Sequence, residues 1–322
     1  MSDTKMGMND EQLNPGPQRQ LNFMALRKVM AAFSIALVLV SVVSLFANSL
    51  QFGLDFTGGS LIEVEYSQEQ PLDVIRQTLV DAGYDSAIVQ TFGSPTDIMV
   101  RLAETHTATL GDDVLVALRA GSESATVTLL RSEFVGAQVG DELREQGGLG
   151  MLFALGVVML YVALRFQIKF SVGAVVALAH DVLIVLGIFS LLKLDFDLTV
   201  LAAILAVIGY SLNDTIVVSD RIRENFRKLR KGDAEEVINL SLNETLGRTL
   251  ITSLTTLLVL AALFFFGGEM IHGFATALMI GVLVGTYSSI YVAANVLLAM
   301  KVVREDLLPP VKEDTEELDA MP

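Results

Sequence analysis

The chain has 322 residues, a formal net charge of −15 and a hydrophobic content of 52%, with neither cysteine nor tryptophan. The lack of cysteine excludes disulfides, thiolate nucleophiles and cysteine-ligated metals, and the three histidines, His106, His180 and His272, lie too far apart in sequence to predict a zinc site. Apolar residues are gathered in long blocks, which is typical of a membrane protein. The negative net charge gives no indication of nucleic-acid binding.

The first element is a polar leader, residues 1–28, followed by an apolar run from Val29 to Ala47. Arg27 and Lys28 precede the run, and Leu45 stands where a signal peptidase requires a small residue. We therefore predict an uncleaved transmembrane helix over residues 29–47 that begins in the cytoplasm.

Residues 48–148 are predicted to form a translocated, periplasmic domain. The segment carries 16 acidic residues, five arginines and no lysine, and a lack of positive charge favours transfer across the membrane. Its patterns predict the order β-α-β-β-α-β, which is typical of an α+β ferredoxin-like sandwich. The predicted elements are LDFTGGSLIEVEY with a bend at Gly58 and Gly59, PLDVIRQTLVDAGY, two short strands around Gly93-Ser94-Pro95, DDVLVALRAG and SATVTLLRSEFVG.

This domain contains no pattern typical of a catalytic site. Phosphate-loop and nucleophile-elbow motifs are absent from its sequence, and we interpret its one histidine, His106, as a solvated loop residue. The domain is therefore predicted to bind a partner or to transmit force.

Five further apolar runs are each long enough to cross a membrane. Lysine and arginine collect at alternate ends of successive runs, which predicts that these ends and both termini are cytoplasmic. We predict transmembrane helices 2–6 within residues 149–300, a basic cytoplasmic loop near 220–247 and an acidic cytoplasmic tail over 301–322. The fold class is a polytopic α-helical membrane protein with six transmembrane helices and one ferredoxin-like domain between helices 1 and 2. The runs are Leu149–Phe166, Phe170–Leu192, Leu198–Ser219, Thr249–Phe266 and His272–Met300.

Three ionisable residues lie within these runs, where a charge is costly and commonly functional. Asp181 is near the middle of the third span, Asp214 lies toward the cytoplasmic end of the fourth, and Arg248 opens the fifth at a similar depth. Antiparallel neighbouring helices would bring Asp214 and Arg248 together. We predict this pair as the proton-coupling site, with a static ion pair that fixes helix register as the alternative.

Polar neighbours extend the predicted site. Tyr210 precedes Asp214 by one helical turn, Asn213 adjoins it, and Thr252 follows Arg248 by one turn. We predict that the stripes containing Asp214 and Arg248 both face inward, with Asp181, Asn213, Tyr210 and Thr252 as supporting groups. We interpret His180 as a packed, hydrogen-bonded residue.

A buried acid that gains or loses a proton as helices move couples an ion gradient to conformation. One charge crossing the membrane gains about 2.3 kcal/mol per 100 mV. A passive assembly subunit is the alternative function. An intramembrane aspartyl protease would use Asp181 and Asp214, but the GxGD signature is missing because Ser211 occupies a glycine position.

Several motifs together resemble the SecF family of bacterial protein-export membrane subunits, over residues 20–305. They are LDFTGGS, with Leu54, Asp55, Phe56, Gly58 and Gly59, then SEFVGAQVGDEL, ALAHDV, GYSLNDTIVVSDRIRENFRK and RTLITS. Ala137 departs from the family pattern, in which proline is customary at this position.

The resemblance implies a multi-pass protein of the bacterial inner membrane that pairs with SecD, in an arrangement similar to the resistance-nodulation-division superfamily. The implied further partners are the SecYEG translocon, YajC, YidC and exported unfolded polypeptides. The resemblance also implies use of the proton motive force late in translocation, through Asp214 and Arg248. We expect the coupling ion to be H⁺, with Na⁺ as the alternative, and we expect no other cofactor and no hydrolytic activity. A small-molecule exporter of that superfamily is a further alternative, although such chains normally carry two six-span halves.

Overall fold

The computed structural model describes residues 21–102, 109–122, 125–229, 233–303 and 306. Residues 1–20 of the predicted leader, His106 and most of the predicted tail lie outside these residues. The helices are α1 (Arg27–Asn48), α2 (Leu54–Thr57), α3 (Leu72–Asp81), α4 (Leu110–Ala120), α5 (Ala137–Arg165), α6 (Ile168–Leu192), α7 (Leu198–Lys228), α8 (Ala234–Phe266) and α9 (His272–Ala299). The strands are β1 (Gln51–Phe52), β2 (Gly59–Tyr66), β3 (Ile88–Phe92), β4 (Ser94–Leu102), β5 (Val127–Val135) and β6 (Asp195–Phe196).

Six of these helices, α1 and α5 to α9, are long and apolar enough to cross a membrane. Half or more of the apolar stretch is buried in α6, α7 and α9, against less than a fifth in α1, α5 and α8. Small residues allow the central helices to approach closely. A Cβ added at Gly281 of α9 would lie 2.2 Å from a methyl of Val207 in α7, and one at Gly285 would lie 3.1 Å from the Cβ of Ser211.

The α/β domain between α1 and α5 has the predicted topology. Its four strands form an antiparallel sheet in the order β3-β4-β2-β5, which is the ferredoxin-like arrangement. Helices α3 and α4 supply one side of a core that includes Ile62, Val64, Leu79, Val100 and Leu118. The domain therefore has its own hydrophobic core, separate from that of the helix bundle.

The predicted first strand of the domain is wrong at its start. Leu54–Thr57 forms a single helical turn, because the carbonyl of Gly53 accepts the amides of Phe56 at 3.1 Å and Thr57 at 3.2 Å. Gly58 ends this turn with a φ of +67°, and the strand begins at Gly59. The predicted Gly93-Ser94-Pro95 turn is also shorter, since Gly93 alone separates β3 from β4.

The basic loop predicted near 220–247 is mostly helical. Helix α7 continues to Lys228 and α8 begins at Ala234, where the capping box of Asp233 and Glu236 closes its first turn. An ion pair of 2.6 Å between Arg221 and Glu244 joins the two extensions. Polar side chains paired in this way allow both helices to continue beyond their apolar runs.

Helix α5 begins at Ala137, twelve residues before the apolar run that predicts it. Gly136 is the N-cap and Ala137 is the first helical residue. Proline is favoured at that position because the amide there has no partner within the helix. Alanine also suits it, so the departure from the family motif leaves the helix start intact.

Candidate functional site

Asp181 is fully buried where three helices meet, with 0% of its surface exposed. Its Oδ2 accepts hydrogen bonds from the hydroxyls of Ser211 in α7 at 2.5 Å and Ser288 in α9 at 2.7 Å. Its Oδ1 lies 2.9 Å from Nδ1 of His180, which is packed and hydrogen-bonded as predicted. Because a buried carboxylate is costly unless it is bonded, these contacts tie α6, α7 and α9 together at one point.

Asp214 lies on α7, three residues after Ser211, and is 3% exposed. Its Oδ2 is buried and has no hydrogen-bond partner among the described residues. The hydroxyls of Thr215 and Thr249, on α7 and α8, are also buried without partners in the described part of the chain. Asp214 therefore differs from Asp181, whose two oxygens are both engaged.

Arg248 is exposed on α8, and no nitrogen-to-oxygen distance of 4.0 Å or less joins its described side chain to that of Asp214. The prediction that its stripe faces the interior of this chain is wrong. The buried stripe of α8 is offset by one residue and consists of Ser241, Thr245, Thr249 and Ser253. One residue corresponds to about 100° around a helix, so Arg248 points out of the bundle.

The supporting residues separate into two groups. Tyr210 faces α8, where its hydroxyl donates to Ser253 at 3.3 Å, and Ser253 lies 2.6 Å from the Thr286 hydroxyl of α9. Asn213 is exposed, and the hydroxyl of Thr252 donates to the Arg248 carbonyl of its own helix at 3.0 Å.

The sequence interpretation missed Ser253, Thr286 and Ser288. Their signal was their place among the small residues of α8 and α9.

The LDFTGG motif joins the α/β domain to the helix bundle. Strand β1 pairs in parallel with β6 of the α6–α7 connection, and the Gly53 amide donates to the Phe196 carbonyl at 2.8 Å. Asp55 Oδ2 accepts the Leu198 amide at the start of α7 at 3.0 Å. This joint therefore places the motif against the first turn of the helix that carries Asp214.

Side chains of the sheet reinforce the joint. Asp195 Oδ2 forms an ion pair with Arg101 of β4 at 3.1 Å and accepts a hydrogen bond from Gln90 of β3 at 3.0 Å. The rings of Phe56 and Phe196 stack with centroids 5.8 Å apart. The α6–α7 connection is thus held by both the motif and the sheet.

Close backbone contacts require glycine at Gly58 of the motif and at Gly140 of α5. A Cβ on Gly58 would lie 2.6 Å from Cα of Ala137, and one on Gly140 would lie 2.8 Å from the Gly58 nitrogen. The first turn of α5 therefore packs directly on the motif.

Two family models match the chain. "Protein export membrane protein SecD/SecF, C-terminal" covers residues 117–303, and "SecD/SecF GG Motif" covers residues 43–70, which include the joint. The chain is 52% identical to the protein translocase subunit SecF of Pseudomonas aeruginosa over 92% of this chain and 96% of that protein. The chain belongs to the SecF family.

Other SecF relatives and solved structures agree with this membership. The protein translocase subunit SecF of Vibrio alginolyticus is 50% identical, over 95% of this chain and 98% of that one. The crystal structure of SecDF from Thermus thermophilus aligns with a TM-score of 0.81 and 37% identity, over 88% of this chain. SecDF in its super-membrane-facing form aligns with a TM-score of 0.66 and 38% identity. The SecF-family chain spans 39% of each solved SecDF chain.

Proposed function

We propose that this SecF-family chain is a subunit of a SecDF-type complex that promotes protein export across the bacterial inner membrane. Relatives named protein translocase subunit SecF match it over nearly their whole length. The solved SecDF chains are much longer, and this chain spans 39% of them. A separate SecD chain would supply the remaining part. SecYEG, YajC, YidC and the exported polypeptide are the further proposed partners, and both termini would lie in the cytoplasm.

In this proposal the proton motive force drives the complex and Asp214 is the group that binds and releases the proton. The supporting observation is that Asp214 is almost completely buried in a membrane-spanning helix while its Oδ2 has no partner among the described residues. A buried acid without a fixed partner is free to change its protonation state, whereas Asp181 is held by three contacts. Arg248 would act on Asp214 through its charge and would not itself carry the proton.

The test is export into inverted membrane vesicles that contain the Asp214→Asn variant together with SecD and SecYEG. An amide keeps the size of the carboxyl and removes its titration. We expect insertion and SecD binding to be retained, and the stimulation of export by an imposed gradient to be lost. Separate H⁺ and Na⁺ gradients identify the coupling ion. Full stimulation of the variant would rule out Asp214 as the carrier.

Asp220→Asn is the matched control, because Asp220 lies on the same helix in surface ion pairs with Arg223 at 3.1 Å and Arg165 at 3.5 Å. We expect this variant to keep its response to the gradient. Arg248→Met should lose the response, and combining it with Asp214→Asn should add little, because the two residues act in one step. Defects that simply add would contradict coupling between the pair.

The alternative of a passive assembly subunit draws on Asp181, whose contacts to three helices suit a fixed structural role. A passive subunit would tolerate Asp214→Asn in the same vesicle assay.

We further propose that the chain has no hydrolytic activity. The two carboxyls of a catalytic aspartate pair share a proton. In support of the proposal, no hydrogen bond joins the carboxyls of Asp181 and Asp214 within the described residues.

A further inference from the structure

Helix α1 crosses the bundle obliquely, from α9 to α6. Near its start, the Tyr287 hydroxyl of α9 donates to the Met30 carbonyl at 2.7 Å, and the Asn295 amide group donates to the Arg27 carbonyl at 3.2 Å. Near its end, Ser41 packs directly against Gly187 of α6, where an added Cβ would lie 2.2 Å from the Ser41 Cβ. Because α1 contacts α9 near its start and α6 near its end, a gap remains between these two contacts.

That gap is a cleft of about 450 Å³ between α1, α6 and α9. Its walls are almost entirely apolar and include Ile35 and Leu39 of α1, Val176 and Leu183 of α6, and Val296 of α9. Ala31 and Ala179, which have short side chains, also line it. The volume lies in the range of binding sites for small apolar molecules.

A lysine stands at one end of the cleft. Lys28 precedes Ala31 by three residues, so it lies on the same face of α1, about 4.5 Å further along the axis. It is exposed and makes no ion pair or hydrogen bond within the described part of the chain. Arg27, in contrast, is occupied by Glu235 at 3.2 Å. Lys28 thus offers an unoccupied positive charge where the membrane-spanning helix begins.

We propose that this cleft binds one acyl chain of an anionic phospholipid, whose phosphate is contacted by Lys28. The cleft lies within membrane-spanning helices, so lipid chains are the apolar molecules present at its opening. The volume and apolar walls suit an alkyl chain, and lysines at helix ends extend toward lipid headgroups. The bound chain would pack against His180, which also lines the cleft and contacts Asp181 through its Nδ1 atom.

The test uses the purified chain in vesicles of phosphatidylglycerol and phosphatidylcholine, with a photoreactive group midway along one acyl chain of either lipid. We expect labelling from the phosphatidylglycerol probe to be concentrated on the cleft segments of α6 and α9. Ala179→Phe fills the cleft and should reduce that labelling about tenfold, the change expected when about two methylene groups lose their burial. Val157→Phe, on the exposed face of α5, is the matched control and should leave it unchanged.

Two further variants separate the acyl chain from the headgroup and guard against misfolding. Ile35→Trp obstructs the cleft from an exposed position of α1 and should repeat the effect of Ala179→Phe. Lys28→Gln should reduce labelling by the phosphatidylglycerol probe several-fold and leave labelling by the phosphatidylcholine probe unchanged. The proposal is overturned if the cleft segments are labelled no more than exposed α5, if both filling variants are labelled normally, or if protein cross-links in native membranes show another chain in the cleft.

Discussion

Gly58 offers the sharpest test of the joint between the α/β domain and the bundle. Its φ of +67° lies in the left-handed region, and its missing side chain is replaced by the backbone of Ala137. In Gly58→Ala the new Cβ would lie 2.6 Å from Cα and 2.9 Å from N of Ala137. Neither atom belongs to a flexible side chain, so the first turn of α5 or the motif itself must move.

The expected loss of stability has two parts. A non-glycine residue in this backbone conformation costs about 1–3 kcal/mol. Forcing an extra carbon into a tight contact costs about 1–3 kcal/mol more. We therefore expect Gly58→Ala to lower the free energy of unfolding by about 2–6 kcal/mol, which is a large fraction of the stability of an ordinary domain.

Substitutions at two other glycines distinguish the cost of the backbone conformation from the cost of the tight contact. Gly83 has a φ of +93° but nothing within 4 Å of an added Cβ, so Gly83→Ala should cost only the backbone term. Gly148 lies in α5 with nothing within 4 Å and no positive φ, so Gly148→Ala should be neutral or stabilise by up to about 1 kcal/mol. Pulse proteolysis of the purified chain across a urea series measures all three. If Gly58→Ala costs no more than Gly83→Ala, the contact between the motif and α5 is not structurally important.

Three further predictions address other contacts. A double-mutant cycle of Arg101→Met and Asp195→Asn should give a coupling free energy of about 0.5–3 kcal/mol by the same proteolysis assay, and additive effects would show that the ion pair does not hold the joint. Ser288→Ala should cost about 1.5–3 kcal/mol because it removes a hydrogen bond to a buried carboxyl. Ser289→Ala should cost clearly less, because among the described residues the Ser289 hydroxyl bonds to the Thr286 carbonyl alone; equal costs would contradict the role of Asp181. The hydrogen bond from Lys169 lowers the pKa of Asp306, so this contact stabilises the chain above the usual carboxyl pKa and is lost as the pH falls through the lowered value. Carboxyl NMR titration should therefore show the pKa of Asp306 rising in Lys169→Gln, and an unmoved titration would refute the assignment.

The fold was predictable from sequence where one periodic signal dominated. Apolar runs of membrane-spanning length predict six helices, and alternating patterns predict the domain topology, because each reflects a single burial requirement. Helix ends were less predictable: α5 and α8 begin before their apolar runs, since polar and capped turns continue a helix beyond hydrocarbon. LDFT was mistaken for a strand because its helical turn depends on the Gly53 carbonyl and the glycine that follows.

The site was predictable in its residue types and less so in its geometry. An acid within an apolar run is visible in sequence, so Asp181 and Asp214 were both identified. Which of them has partners depends on the serines of α7 and α9, which look like ordinary packing residues in sequence. The direction of the Arg248 side chain depends on the rotation of α8 about its axis. A buried stripe assigned one residue away from its true position places this side chain in the interior of the bundle instead of on its exterior.

The proposed proton coupling requires that movement of α7 reaches the α/β domain without breaking the joint. A proton crossing the membrane gains about 2.3 kcal/mol per 100 mV. Besides the β1–β6 pairing, the described residues make four polar contacts across the joint, from Gly53 to Phe196, Asp55 to Leu198, Arg101 to Asp195 and Gln90 to Asp195. At about 0.5–1.5 kcal/mol each, they contribute about 2–6 kcal/mol before the stacked phenylalanines are counted. The joint is therefore at least comparable in strength to one proton step. Three of these four contacts are made by the α6–α7 connection and the fourth by the first turn of α7. A shift of α7 would therefore carry the domain with it more readily than it would detach from it.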